Sequence, residues 1–254
     1  MFERLDLRRR ARAAGLHLLI SAAVAAVAAT LVFGLWYPGI YRLASGGRDL
    51  FLLVTSVDVI LGPLLTFAVF NLAKGWKHLR RDLAVIGVIQ AAALVYGLHT
   101  VYVVRPVAMA FEVDRFRVIA AADVHLPELP KAPPEYRTLP LAGPWLLGTR
   151  KPAPGAEHND AIDMGLQGID RANRPLFWQP YADSIEDVLA KSRPVSVLLA
   201  YYPARVAEFR GGLAEMKADE ATARFLPLAA RGDWVIVLDA KGRVLGHLRA
   251  DGFF

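Results

Sequence analysis

Leu16–Tyr37 reads LHLLISAAVAAVAATLVFGLWY, and no Asp, Glu, Lys or Arg occurs anywhere between Arg12 and Arg42. A helix of that length spans about 33 Å at about 1.5 Å per residue, enough for a hydrocarbon core of about 30 Å. Trp36 and Tyr37 close the run as residues of an interfacial aromatic belt would. Arginines before an apolar run with Ala-x-Ala triplets also have the grammar of a cleaved signal peptide. The run is longer than the usual h-region of about 7–15 residues, so an uncleaved anchor is expected.

Two further runs extend the pattern. Leu50–Ala73 carries one charge, Asp58, and Leu83–Val104 carries none. Buried helices of a soluble core would show charged outer faces, which these segments lack. The expected layout is a basic N-terminus at residues 1–12 and a three-helix transmembrane domain at 13–104, with spans near 16–37, 50–73 and 83–104. An exported domain at 105–254 follows.

Charge agrees once it is placed along the chain. The 30 Lys+Arg and 24 Asp+Glu give +6, which taken alone invites a nucleic-acid partner. Residues 1–104 hold 11 basic and 5 acidic residues, while 105–254 hold 19 of each. The whole excess therefore sits among the spans, and no nucleic-acid surface is expected. Basic residues alternate high, low, high by loop: Arg4, Arg8, Arg9, Arg10 and Arg12, then Arg42 and Arg48, then Lys74, Lys77, Arg80 and Arg81. By the positive-inside rule the N-terminus and the KGWKHLRR loop are cytoplasmic, and everything after Val104 lies across the membrane. In a Gram-negative cell that is the periplasm. Absence of cysteine excludes disulfides, thiolate metal sites and a cysteine nucleophile.

Beyond Val104 the texture is α+β. VAMAFEVDRFRVIAA (Val107–Ala121) gives two β-prone runs about a polar cluster. Residues 126–155 carry eight of sixteen prolines and read as an irregular segment lying across a surface or linking two parts. Ala156–Asp170 and Asp183–Lys191 read as helices, the second capped by Asp183 or Ser184. VSVLLAYY (Val195–Tyr202) reads as a buried strand and Pro203–Lys217 as a helix. WVIVLD-AKG-RVLGHL (Trp234–Leu248) reads as a β-hairpin with Gly242 in its turn.

No catalytic signature, cofactor motif or metal-ligand spacing emerges. Glu157, His158 and Asp160 read as a solvated helix start. Asp58 stands out, because an acid inside a span costs about 2.5–3.5 kcal/mol and must face a partner. It lies about 12 Å in from Leu50 at the helical rise, with Tyr96 at matching depth and His99 one turn further out. A polar patch of Asp58, Tyr96 and His99 between spans two and three is the expectation, serving as interhelical glue or binding a partner. Gly62-Pro63 is expected to kink the helix beside it.

DVILGPLLTFAVF (Asp58–Phe70), RRDLAVIGVIQAAALVYGLHTVYVVRPVAMAFEVDRFRVI (Arg80–Ile119), LPLAGP (Leu139–Pro144) and RPLFWQPY (Arg174–Tyr181) together resemble the type IV pilin accessory proteins of Gram-negative bacteria. The resemblance covers roughly Arg4 to Tyr181 and implies a non-catalytic inner-membrane factor. Such a factor stabilises a cognate pilin, its membrane helix and its periplasmic head, and promotes its assembly into the pilus. Implied partners are that pilin, the lipid bilayer and other pilus-assembly platform proteins. The implied partner-facing segment is RPLFWQPY, with Arg174, Pro175, Phe177, Trp178 and Tyr181. Pilins carry a buried glutamate near the cytoplasmic end of their helix, so direct pairing of Asp58 with the pilin N-terminal amine is disfavoured by depth. Two other classes fit the residues: a small transporter or intramembrane enzyme centred on Asp58, and a periplasmic binding domain for which the spans are anchors.

Overall fold

A computed structural model describes residues 2–71 and 75–254, with side chains from residue 6 onward. Lys74, one of the topology signals, the Leu72–Ala73 end of the second expected span and the Arg4 side chain lie outside the described residues. The chain divides into two compact units, Met1–Val103 and Val104–Phe254.

Among the described residues of the first unit, three helical stretches are long and apolar enough to cross a membrane: Asp6–Trp36, Gly47–Val69 and Trp76–Val103. The first is α1 (Phe2–Leu31) prolonged by a π-turn at Val32–Trp36, and a short α2 (Tyr41–Ala44) follows. The second is α3 (Gly47–Ser56), a π-turn at Val57–Leu61, and α4 (Gly62–Val69). The third is a continuous α5 (Trp76–Val103). It begins seven residues before the expected Leu83, because Lys77, Arg80 and Arg81 are good helix formers and hold their charged heads in water while the backbone winds on.

The second span occupies the middle: α1 packs along α4, and α5 packs on α3 and α4. Glycine sets the approach between the second span and α5. A Cβ on Gly97 would collide with Val54, and one on Gly62 with the Gln90 amide. Apolar surface gives no driving force between helices in lipid, so close backbone approach and interhelical hydrogen bonds carry the packing. At one end Tyr37 is wholly buried, donating its hydroxyl to the Val101 carbonyl at 2.9 Å. Phe33 meets Phe51 edge-on at 5.0 Å, and Trp36 meets Tyr102 at 5.2 Å.

In the second unit, eight strands form one sheet: β1 (Pro106–Glu112), β2 (Arg115–Ala120), β3 (Trp145–Thr149), β4 (Trp178–Pro180), β5 (Arg193–Pro194), β6 (Arg224–Ala230), β7 (Gly232–Leu238) and β8 (Val244–Leu248). Their order is β4-β3-β1-β2-β6-β7-β8, with β5 also paired to β6. The β1–β3 and β2–β6 pairs are parallel, and the other pairs antiparallel. All seven residues of β1 are buried, as befits a strand covered on both faces. Helices α6 (Ala156–Leu166), α7 (Ile185–Lys191), α8 (Val195–Tyr201) and α9 (Val206–Glu215) complete the α+β unit. One core gathers Val107, Ile119, Leu147 and Trp178; another gathers Leu198, Phe209, Phe225 and Val237.

The terminal hairpin forms as expected. Asp239 Oδ1 accepts from the Lys241 and Arg243 amides at 2.8 and 2.9 Å, and Gly242 takes φ +77°. Three other expectations are corrected, and one strand is added to them. The proline-rich segment is not irregular throughout, since the proline-free interval between Pro144 and Pro152 keeps its amides and enters the sheet as β3. VSVLLAYY is helical, burying Val195, Leu198 and Leu199 on one face at i, i+3, i+4. An eight-residue, mostly apolar run does not by itself distinguish strand from helix. Strand β6 carries Pro227 and was not anticipated. Pro227 sits between the residues that pair with β5 (Arg224, Phe225) and those that pair with β2 (Leu228, Ala229), so no ladder bond is asked of it on that side. Neither Asp183 nor Ser184 caps α7 by side chain; the Ser184 hydroxyl accepts from Gln179 at 2.8 Å.

Candidate functional site

Asp58 is the middle residue of its 23-residue span and is only 9% exposed, and Gln90 lies at the middle of the third span. The Gln90 amide donates to the Asp58 carbonyl at 3.2 Å and to its carboxylate at 3.4 Å. Asp58 belongs to the π-turn just ahead of Gly62-Pro63, so the backbone irregularity there takes the form of a widened turn. Such turns are frequent at functional sites because they redirect a side chain without ending the helix. Nearby, His17 of α1 shares a 2.5 Å hydrogen bond with Thr66 of α4, the imidazole tautomer deciding which atom donates.

The patch of Asp58, Tyr96 and His99 does not assemble. Tyr96 is 75% exposed and His99 is exposed, while Gln90 and His17 hold the places beside Asp58. Six residues separate Gln90 from Tyr96, which at about 100° per residue turns Tyr96 well away from the second span.

Because α1 and α5 flank the second span, an open groove of about 220 Å³ remains between them with Asp58 in its floor. One wall is His17, Ile20, Ser21 and Val24; the other includes Gly87, Ala91 and Leu94. Small residues on both walls allow another helix to approach closely. Gln90 Oε1 is buried without a hydrogen-bond partner among the described residues and lies against Gly62, in the contact between the second span and α5.

RPLFWQPY is core rather than a partner-facing surface. Pro175, Phe177 and Trp178 are buried, the Trp178 indole donates to the Ala172 carbonyl at 2.8 Å, and the Tyr181 hydroxyl donates to the Gly242 carbonyl at 2.6 Å. Arg174 is buried as well, gripping Glu128 at 2.5 Å and Asp160 at 2.6 Å with its guanidinium 4.8 Å above the Phe177 ring. Aromatic bulk serves interiors and interfaces equally, and here it fills the interior.

Comparison with known proteins now bears on this arrangement. The family model described as fimbrial assembly protein FimB matches residues 5–46. A fimbrial assembly protein of serogroup I from Dichelobacter nodosus is 34% identical over 246 residues, covering 96% of each chain. The serogroup E1 protein of that organism is 33% identical over the same length and coverage. That of serogroups C1 and C2 is 43% identical over 122 residues, 48% of this chain and 93% of that relative. The chain belongs to the fimbrial assembly protein family. No solved structure matches it.

The family match at residues 5–46 takes in the α1 wall of the groove and Tyr37. In the second unit, ion pairs tie α6 to its surroundings. Asp160 meets Arg174, and Glu157 takes a two-point grip from Arg150 at 2.7 and 2.9 Å. That grip, with the Ala153 amide, draws the Glu157 carboxyl down to about 2. Phe177 lies between the Arg150 and Arg174 guanidinia, 4.8 Å from each. Glu112, buried at the end of β1, is satisfied by Arg117 at 2.5 Å and the Ala172 amide at 2.9 Å.

Proposed function

We propose that this protein is a non-catalytic, chaperone-like assembly factor of the inner membrane that holds the membrane helix of a fimbrial subunit, a type IV pilin, in the groove between α1 and α5. The α+β unit then lies in the periplasm and the N-terminus in the cytoplasm, as the distribution of Arg8, Arg9, Arg10, Arg12, Lys77, Arg80 and Arg81 favours. The groove carries this reading: the three spans leave an open trough with the small residues Ser21, Gly87 and Ala91 among its walls and a polar group at mid-span. A subunit awaiting assembly is a single apolar helix with a soluble head. A trough with the Asp58 carboxyl in its floor suits a helix that brings one donor to that depth, because a polar group in lipid costs free energy until a partner meets it.

Photocrosslinking in cells tests it. Probes at Val24 and Ala91 in the groove should label the fimbrial subunit, and probes at Ile89 and Tyr96, exposed on the opposite side of α5, should label it far less. Equal labelling from both sides, or none from the groove, would refute the reading.

A further inference from the structure

The second unit contains a cavity of about 740 Å³ between the β1–β2 hairpin and α6, remote in sequence from every groove residue. Its construction departs from an ordinary surface hollow in three respects. The hairpin turns through Val113, a β-branched residue at φ +54°, with the Asp114 amide bonded to the Glu112 carbonyl at 2.6 Å across it. This three-residue turn is a rare and strained form, and left-handed backbone favours glycine or asparagine. Here it carries an isopropyl group that is 58% exposed at the mouth of the cavity. Strain held at a site points to a use for that side chain.

Facing it, α6 buries no residue. The helix is held by charge, through Glu157 and Asp160, and it leaves Ile162 and Leu166 51% and 84% exposed. These two are one helical turn apart and share a face, so the apolar stripe runs on from the cavity, which Ile162 lines and Leu166 lies beyond. The stripe therefore extends further than a small ligand would cover.

The third feature is charge. Both acids of the lining are committed, Glu112 to Arg117 and the Ala172 amide, Asp170 to Arg117 at 2.8 Å. The basic groups are more available. Arg171 reaches the Arg150 carbonyl at 3.5 Å, Lys151 makes one exposed pair with Asp187, and His158 stands exposed one turn before Ile162. The rim is thus net positive around an apolar floor.

We infer that this surface docks a segment of a partner polypeptide that alternates apolar and acidic side chains. Its apolar residues seat on Val113, Pro152, Ile162 and Leu166, and its carboxylates meet Lys151, His158 and Arg171. The inference goes beyond the membrane groove and does not depend on it.

The test uses the full chain in detergent micelles and a fluorescent twelve-residue peptide of alternating Leu/Val and Asp/Glu. A twin with Lys/Arg in place of the acids, and free decanoate, form the other arms. The acidic peptide should bind saturably and weaken about tenfold when salt rises from about 50 to 200 mM, as exposed charge pairs do. Lys151→Gln with Arg171→Gln, and separately Ile162→Ser with Leu166→Ser, should each cost about tenfold with an unchanged near-ultraviolet circular dichroism spectrum. The basic twin should not bind. No binding of the acidic peptide, equal binding of the two peptides, unchanged affinity in both folded double variants, or binding of decanoate alone would each overturn the assignment. The charge-swapped arm needs no variant, so it decides even if a substitution unfolds the protein.

Discussion

Replacing Arg174 by Ala gives the sharpest test of how the second unit is held together. Its guanidinium makes three contacts with Glu128, at 2.5, 3.0 and 3.2 Å, and one with Asp160 at 2.6 Å. Glu128 is itself buried, so the substitution leaves an uncompensated carboxylate inside the protein, a situation that costs about 3–5 kcal/mol. Losing the contact with the Phe177 ring adds roughly 1 kcal/mol. Against a total of about 5–15 kcal/mol for a domain, that is about a quarter of the stability or more. Each kcal/mol lowers the melting temperature of a unit this size by about 2–4 °C, so a fall of about 8–24 °C is expected, read from near-ultraviolet circular dichroism on heating. The pair Arg174→Met with Glu128→Leu removes both charges together and should recover most of the loss, because a buried ion pair is worth little net once its desolvation is counted. A loss below about 1 kcal/mol, or a double variant as unstable as the single, would refute the reasoning.

Four further outcomes follow from the geometry. Gly97→Leu should push α5 off Val54 and lower the detergent melting temperature of the three-helix unit, by the equivalent of about 1–3 kcal/mol. Asp58→Leu removes the acceptor facing the Gln90 amide and should lower membrane abundance on immunoblots, whereas Asp58→Asn keeps an acceptor there and should leave abundance intact while weakening crosslinks from Ala91. Val113→Gly relieves the left-handed strain and should stabilise the second unit by about 1 kcal/mol in chemical denaturation, at the expense of peptide affinity. Two groups make separable contributions to the pH profile of melting. Burial holds His247 below its usual value of 6.5, so the unfolded chain takes up a proton first and stability falls as pH drops below 6.5; His247→Gln should flatten that limb. Glu157, held at about 2 by Arg150, contributes fully above its unfolded value of 4.5 and is lost as pH falls towards 2; Glu157→Gln should make that acid limb shallower, leaving the share of Glu208, Glu220 and Asp239.

The spans were legible because lipid punishes every charge, so a run without charges identifies itself. Depth along a span was legible only roughly, for Tyr96 was matched to Asp58 by counting from the loop, whereas Gln90, six residues or about 9 Å further along α5, meets it. Azimuth was not: Asp58 needed a partner at mid-span, and choosing Tyr96 over Gln90 required knowing which face of α5 meets the second span, which Gly97 and Gly62 decide through contacts invisible in one dimension. In the second unit, local signals succeeded where the turn chemistry was complete, as at Asp239 and Gly242. They failed where tertiary pairing overrode them, as at Pro227 in a paired strand and at VSVLLAYY in a helix. RPLFWQPY was conspicuous for its chemistry, but whether Arg174 and Phe177 face a partner or one another depends on Glu128, distant in sequence.

The parallel pair between β2 and β6 imposes a schedule on the chain. Phe116 meets Leu228 and Arg117 meets Ala229, so the open side of β2 waits for a strand made about a hundred residues later. At a synthesis rate of about 5–20 residues per second the wait is roughly 5–20 s. Throughout it the first hairpin shows unpaired amides and carbonyls along a ready edge, a template for any extended chain nearby. A protein committed to fimbrial assembly thus passes its own youth as an unfinished sheet, and a truncation anywhere before Arg224 leaves that edge open for good.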